Sequence, residues 1–366
     1  MSKAAELAAL IGSQTALSNR NMIINGAMKV AQRGTSSTAA SYGSVDRFFY
    51  SASNLDNHAF TQTQQAVTDL AEFTNSFRIT TTTAESAIAA NELVYVAQKI
   101  EAQNCQQLAY GTSSAKQVTL SFYVKSSVTG TFSTNLYEVD DSRIVNSEYT
   151  ISSANTWERK EITYVADQTG VIDNNNGTGF YVTWNLALGS SFKGNAATAW
   201  EAYNTDNWAG AGTYTDAVIT TVNSTWEITG IQLEIGEVAT PFEHEDFGTT
   251  LAKCQRYYFR QNHDTNIPYL GAGAVYRNTL AMLIMNLPVA MRAAPAAIDQ
   301  SGTAAHYTAW GNESTTACSA VPTIRAGDSK TSVNVDLTFN TLNSATGTYV
   351  YRIVNTSGYL GVSAEL

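Results

Sequence analysis

The chain has 366 residues and a net charge of −10, and only 14% of its residues are charged. Average soluble domains contain roughly 25% charged residues, so we predict a neutral, polar surface. An acidic chain without clustered Lys and Arg does not suit a phosphate backbone, which argues against nucleic acid as a partner. The sequence lacks an apolar run of roughly 18 residues, so we expect no membrane insertion.

The first predicted element is a short helix at residues 2–12. Ser2 can cap it, apolar residues recur at helical spacing from Ala4 to Ile11, and Gly12 ends the pattern. A helix of this length is marginal in isolation, so it must dock on something. We assign residues 1–20 to an attachment or oligomerisation segment, with docking on its own domain as the alternative.

From residue 21 onwards the pattern changes to strands. Apolar and polar residues alternate over 118–125 and again over 180–188, which indicates strands with one buried face. Polar turns such as 173–177 separate the strands. We therefore predict an all-β fold, with an antiparallel jelly-roll β-sandwich over residues 21–246.

Residues 226–246 contain a change of alternation and then a cluster of charge. Trp226 and Ile228 occupy even-numbered positions, whereas Ile231 occupies an odd-numbered one. The side of the strand that is apolar therefore changes between them, and we predict a β-bulge at Gly230. The acids and histidine of 243–246 alternate in direction, so they do not converge on a metal. We interpret them as a linker and the start of a helix, 247–261, that leads to a smaller β-sandwich domain at 262–366 with a possible receptor-binding role.

Motifs for catalysis are absent from the sequence, and we predict neither an enzyme nor a cofactor. A distant carboxylate pair for glycoside cleavage is not excluded by sequence. Three cysteines, Cys105, Cys254 and Cys318, lack zinc-site spacing and are predicted to be buried, reduced thiols. Three acidic residues lie in predicted turns: Asp140, Asp141 and Asp173. They are either ligands of a structural calcium ion or parts of ordinary Asx turns.

Two aromatic segments are candidates for sugar binding, because sugars pack on aromatic faces flanked by neutral hydrogen-bonding groups. The alternative for both segments is an aromatic residue half-buried in a loop or in a subunit contact. The candidate residues are Trp200, Tyr203, Asn204, Asp206, Trp208 and Tyr214 in the first segment and Tyr307 and Trp310 in the second.

A set of sequence blocks carries a resemblance to a known family. The blocks include RNMIINGAMKVAQRG at 20–34, Asp46-Arg47-Phe48, VAQKIEAQ at 96–103, VTLSFYVKSSVTG at 118–130, LPVAMRAAP at 287–295 and the whole of 229–259. Together they resemble bacteriophage tail-fibre and related virion fibre proteins. The main domain of those proteins is a jelly roll like that of carbohydrate-binding modules.

The resemblance implies a non-catalytic virion protein that adheres to host surface glycans. It also implies a homotrimer, joined to other virion proteins through the N-terminal segment and assembled in the bacterial host cytoplasm. The alternatives are a purely structural virion protein, such as a capsid decoration, head fibre or collar component, and a polysaccharide depolymerase. In the blocks at 20–47, we predict a polar and ionic network that holds the first strand: Arg20, Asn25, Gln32, Arg33, Asp46 and Arg47.

Overall fold

The computed structural model describes residues 19–262, 269–311, 314–325, 329–342 and 347–366. The fold is all-β with antiparallel strands, as predicted. The chain divides into two compact units, one of residues 1–250 with Leu366 and one of residues 251–365. The helix predicted at 2–12 lies outside the described residues.

The first unit contains two six-stranded antiparallel sheets. In spatial order, the first sheet contains β1 (Ser36–Ser37), β3 (Ala59–Ala66), β4 (Asn75–Thr83), β12 (Thr225–Ile235), β6 (Val118–Ser126) and β9 (Glu158–Tyr164). The second contains β11 (Glu201–Ala202), β8 (Arg143–Ile151), β7 (Gly130–Glu138), β10 (Thr178–Leu188), β5 (Leu93–Glu101) and β2 (Phe49–Ser53). The short helix α1 (Ala217–Thr220) and 3-10 turns at Ala102–Leu108, Ser190–Phe192 and Thr205–Asn207 complete the unit.

The two sheets of this unit enclose its core through the alternate residues of each strand. Phe122 of β6, Trp184 of β10 and Trp226 of β12 are fully buried. The rings of Phe122 and Trp184 meet edge to face, with centroids 5.9 Å apart. Burial of large apolar side chains is the main favourable contribution to folding, so this layer sets which face of each strand points inward.

The bulge predicted at Gly230 is confirmed. Its φ is +61°, and the register of β12 against β6 shifts between Thr229 and Gln232. A Cβ at this position would lie 2.6 Å from the Phe73 ring, so only glycine allows that ring to close over the strand.

The polar network at 20–47 exists, but it holds turns and not the strand we predicted. The side chain of Asn25 bonds the backbone of Val30 in both directions and donates to the carbonyl of Asp46. Asp46 accepts from the backbone and side-chain nitrogens of Gln32. Arg47 is fully buried and donates to the Lys99 carbonyl at 2.7 Å.

The charge cluster at 243–246 forms the joint between a loop and a helix, as predicted. Asp246 caps helix α2 (Phe247–Gln255) by accepting from the Thr249 amide at 2.9 Å. Glu243 accepts from the amides of Asn19 and Asn21. The helix is shorter than the predicted 247–261 segment, because residues from Tyr258 onwards pair as a strand.

The second unit contains a three-stranded and a seven-stranded antiparallel sheet. The small sheet contains β13 (Tyr258–Asn262), β22 (Tyr359–Ser363) and β16 (Ala297–Gln300), and a 3-10 turn lies at Ala304–His306. The larger one contains β18 (Ser314–Ala317), β17 (Tyr307–Gly311), β21 (Gly347–Ile353), β14 (Tyr269–Arg277), β15 (Leu280–Asn286), β20 (Ser332–Thr338) and β19 (Thr323–Ile324). Its separate core includes Leu283, Val335 and Leu337.

The three cysteines are free and buried, as predicted. Cys105 lies in the core of the first unit and Cys318 in that of the second. Within the described ranges, helices are all too short or too polar to cross a bilayer.

Candidate functional site

The outer face of the second sheet carries an unusual number of aromatic residues. In β10 the even-numbered residues from Phe180 to Trp184 point into the core, so Tyr181 points out. The same alternation places Tyr137 of β7 and Tyr95 of β5 on this outer face. We call the following set the aromatic face: Phe49, Tyr95, Tyr137, Tyr181, Tyr203 and Trp208.

The rings of the aromatic face form a closed circuit. Tyr137 and Tyr181 are cross-strand partners with centroids 6.0 Å apart, and Tyr137 lies 5.0 Å from Tyr203. The Tyr203 hydroxyl accepts from the Trp208 indole nitrogen at 3.2 Å. Tyr95 and Phe49 close the circuit, because Tyr95 lies 5.2 Å from Trp208 and 5.9 Å from Phe49, which is 6.2 Å from Tyr181.

One cation lies at the edge of this circuit. The Lys99 ammonium is 4.8 Å from the Tyr181 centroid and 5.3 Å from that of Phe49. Cation–π attraction at such distances holds the lysine over the rings. The ammonium also donates to the Leu366 carbonyl oxygen at 2.7 Å, so the charge at this edge already has a partner in the protein.

Between the rings, the same sheet face carries neutral polar side chains. Asn185 donates to the Ser133 hydroxyl at 2.8 Å and to the side-chain oxygen of Asn135 at 2.9 Å. Thr183 also donates to that oxygen. The remaining amide atoms, Asn135 Nδ2 and Asn185 Oδ1, are buried and have no hydrogen-bond partner among the described residues. Unpartnered buried amides are costly to stability, and these two atoms are enclosed by the protein, so they are not open to a ligand at the surface.

The first predicted sugar-binding segment contributes only part of itself to this face. Tyr203 and Trp208 belong to the aromatic face, and Tyr214 packs on the same cluster while donating to Glu148. Tyr203 and Tyr214 are half-buried, whereas Trp208 is 8% exposed and supports the tyrosines from below without presenting a surface of its own.

The prediction that Trp200 binds sugar is wrong, because Trp200 belongs to the core of the first unit and presents no surface for a sugar. It is 8% exposed and stacks on Phe180 with centroids 5.8 Å apart. Its indole nitrogen donates to the Val165 carbonyl at 2.7 Å, so its one polar atom is already satisfied.

The polar members of that segment shape the loop. Asn204 is exposed, and with Asn207 it forms a reciprocal cap on the 3-10 turn Thr205–Asn207. Asp206 is half-buried, and its Oδ1 is enclosed without a partner in the described chain. Asn207 also accepts from Asn146 through its backbone carbonyl, at 2.7 Å, which ties the loop to β8.

The second predicted segment is split in the same way. Tyr307 is fully buried, and its hydroxyl donates to the Tyr359 carbonyl, so the prediction that it is a surface platform is wrong. Trp310 is 43% exposed, with the Arg352 guanidinium 5.7 Å from its ring centroid.

The turn acids proposed as calcium ligands hold backbone groups. Asp141 accepts from the Val171 amide at 2.7 Å, and Asp140 accepts from the Asp173 amide at 2.9 Å. Asp173 accepts from the Asn175 side chain at 3.2 Å. Among the described residues no three His, Cys, Asp or Glu side chains are grouped to hold a metal. Two of these acids therefore tie distant loops together and the third bonds a neighbouring side chain, which is neither the calcium site nor the local Asx turns of the prediction.

Sequence reasoning missed the residues at the centre of the aromatic face. Phe49, Tyr95, Tyr137, Tyr181 and Lys99 lie in strands, whereas the prediction looked for platforms in loops. The signal was present in the tyrosines at outward positions of strands whose other face is apolar. Assigning those tyrosines to one surface required the strand order, which brings β7, β10, β5 and β2 side by side.

Comparison with known proteins gives similarity to solved structures only. Family models and curated sequences give no match. The enzymatically active domain of bacteriophage CBA120 tailspike protein 4 matches with 12% identity and a TM-score of 0.33, covering 59% of this chain and 22% of that chain. A CBM4 structure matches with 12% identity and a TM-score of 0.31, covering 58% of this chain and 98% of that one.

A third match is the family 11 carbohydrate-binding module from Clostridium thermocellum in complex with a β-1,3-1,4-mixed-linked tetrasaccharide. It has 9% identity and a TM-score of 0.27, and covers 57% of this chain and 98% of that one. Similarities of this size establish neither a family nor an activity, so the functional argument depends on the residues themselves.

Proposed function

We propose that this chain is a non-catalytic bacteriophage virion fibre protein that binds host surface glycans through the aromatic face. The observation that carries the proposal is the circuit of aromatic rings, whose half-buried tyrosines offer both ring surface and hydroxyls to a ligand: Tyr95, Tyr137, Tyr181 and Tyr203. A sugar ring offers apolar C–H surface to an aromatic side chain and hydroxyls to neutral polar groups, so this combination suits a saccharide.

The proposal extends to assembly. We propose a homotrimer that contacts other virion proteins through residues 1–20, as the family resemblance implies. Three linked copies of a weak site bind a repetitive polymer far more tightly than one copy, because linkage raises the effective concentration of the second and third sites. The mass of the purified protein in solution tests this, and a monomer would contradict it.

The binding proposal is tested with a glycan array that includes host envelope polysaccharides, followed by titration of the best ligand. The double variant Tyr137→Ala, Tyr181→Ala is expected to lose roughly tenfold or more in affinity, the effect of removing aromatic anchors from a contact surface. Tyr269→Ala is the matched control, because Tyr269 is 60% exposed and lies in the other unit.

Two outcomes would contradict the proposal. One is unchanged binding by the double variant while its thermal unfolding matches that of the wild type. The other is shortening of the polysaccharide by the pure protein, which would favour the depolymerase alternative. Trp310→Ala is tested alongside, since loss of binding in that variant would move the site to the second unit.

A further inference from the structure

The first sheet has a separate cleft on its outer face, on the opposite side of the sandwich from the aromatic face. Its volume is about 340 Å³, at the lower end of the range for small-molecule sites. Strands β6, β9 and β12 form its floor, and the segment 239–242 and the loop between β3 and β4 form its walls. The lining includes Glu72, Ser121, Tyr123, Arg159, Gly230 and Phe242.

Aromatic rings make up the apolar part of this cleft. Tyr123 and Phe242 line it, and both pack against Phe73, with centroids 5.5 Å and 5.1 Å from the Phe73 ring. Phe73 can reach this position because of the bulge at Gly230, where a Cβ would also lie 3.0 Å from the Tyr123 ring. The rings are therefore held in place by the strand and by each other, which reduces the entropy lost on binding.

The charges of the cleft differ in how far they are already neutralised. Arg159 donates to the Glu161 carboxylate and, at 3.2 Å, to the Thr240 carbonyl, so its guanidinium is committed to the protein. Glu72 is exposed and makes no hydrogen bond or ion pair with any described residue. The available charge in the cleft is therefore negative.

The floor adds one unused polar group. Ser121 is 3% exposed, lines the cleft, and its hydroxyl has no hydrogen-bond partner among the described side chains and backbone. The hydroxyl oxygen itself is open to the cleft, so it can exchange a bond to water for a bond to a ligand.

We propose that this cleft binds an organic ammonium ion, with the cation between Glu72 and the rings of Tyr123 and Phe242 and the rest of the ligand over Ser121. A carboxylate attracts the charge, and the negative faces of aromatic rings attract it further. The shared chemistry is an alkylammonium group on a small polar body, and both an amino sugar and a quaternary ammonium alcohol provide it. The site is independent of the aromatic face.

The test is a titration of the full chain with four probes: glucosamine, choline, glucose and glucuronate. We expect glucosamine or choline to bind in the millimolar range, and at least about tenfold more tightly than glucose. Tighter binding of glucosamine identifies an amino sugar, and tighter binding of choline identifies a quaternary ammonium ligand. Equal binding of all four probes, or preference for glucuronate, overturns the proposal.

Variants separate this site from nonspecific attraction to an acidic protein. Glu72→Gln keeps the size of the side chain, removes its charge, and is expected to weaken cation binding roughly tenfold. Glu237→Gln is the matched control, since Glu237 is also exposed and does not line the cleft. Equal effects of the two substitutions would overturn the assignment to Glu72.

A cleft variant and the aromatic-face double variant are then compared, to separate ammonium binding from the proposed glycan binding. Tyr123→Ala is expected to weaken binding of the ammonium probe, whereas Tyr137→Ala with Tyr181→Ala is expected to leave it unchanged. If the aromatic-face variants abolish both activities in folded protein, the cleft is not a separate site.

Discussion

At the scale of single residues, aromatic side chains that look alike in the sequence have opposite roles. Trp200 stacks in the core with a satisfied indole, whereas Trp310 is 43% exposed. We expect Trp200→Ala to lower the free energy of unfolding by about 3–5 kcal/mol, because it leaves a large cavity. We expect Trp310→Ala to change it by no more than about 0.5 kcal/mol. Urea unfolding followed by tyrosine fluorescence measures both, and similar costs would contradict this assignment.

Glu138 is a buried carboxyl with one oxygen lacking a partner in the described residues. Burial, with further contributions from Asp141, Asp167 and Asp140, raises its pKa to about 7, from an ordinary value of 4.5. Between pH 4.5 and pH 7, Glu138 holds a proton in the folded chain that it has lost in the unfolded chain. The stability from this proton is complete below pH 4.5 and is lost as the pH rises through 7.

The substitution Glu138→Gln should remove this pH dependence, because glutamine is neutral throughout. We expect the urea midpoint of the wild type to fall relative to that of the variant between pH 5 and pH 8. Glu161→Gln, at an exposed position, provides the control for general titration of surface acids. A wild-type urea midpoint that rises relative to that of the variant over this pH range would contradict the burial of a protonated Glu138.

At the scale of elements, β12 depends on its bulge. Gly230→Ala places a methyl group 2.6 Å from the Phe73 ring at a φ of +61°. We expect a loss of about 1–3 kcal/mol in unfolding free energy from the combined clash and strain. Asn223 has a φ of 62° and is exposed, so Asn223→Ala carries the backbone strain without the clash. Equal losses for the two variants would show that the Phe73 contact is unimportant.

The elements also show how far the sequence could predict this molecule. Alternation alone identified β6, β10 and β12 and their buried faces, because burial of one face is encoded locally. The cap at Asp246 and the bulge at Gly230 were likewise local signals. The network at 20–47 was expected to hold a first strand, but side chains such as Asn25 bond to turns there instead. The aromatic face depends on strand order, which is a property of long-range pairing.

At the scale of the whole molecule, each unit has its own hydrophobic core. We therefore expect two unfolding transitions in calorimetry. Phe122→Ala should lower only the free energy of unfolding of the first unit, by about 2–5 kcal/mol. Leu337→Ala should lower only that of the second unit, by a similar amount. A single transition that both variants lower equally would contradict the independence of the two cores.

The buried thiols have a practical consequence for following this molecule in solution. Burial raises the pKa of Cys318 to about 12 and that of Cys105 above the usual range for a thiol, so neither is a thiolate at neutral pH. An alkylating reagent can then react with each sulfur only while the surrounding strands are apart. The rates of labelling at Cys105 and Cys318 would report the opening of the two cores separately, without an introduced probe.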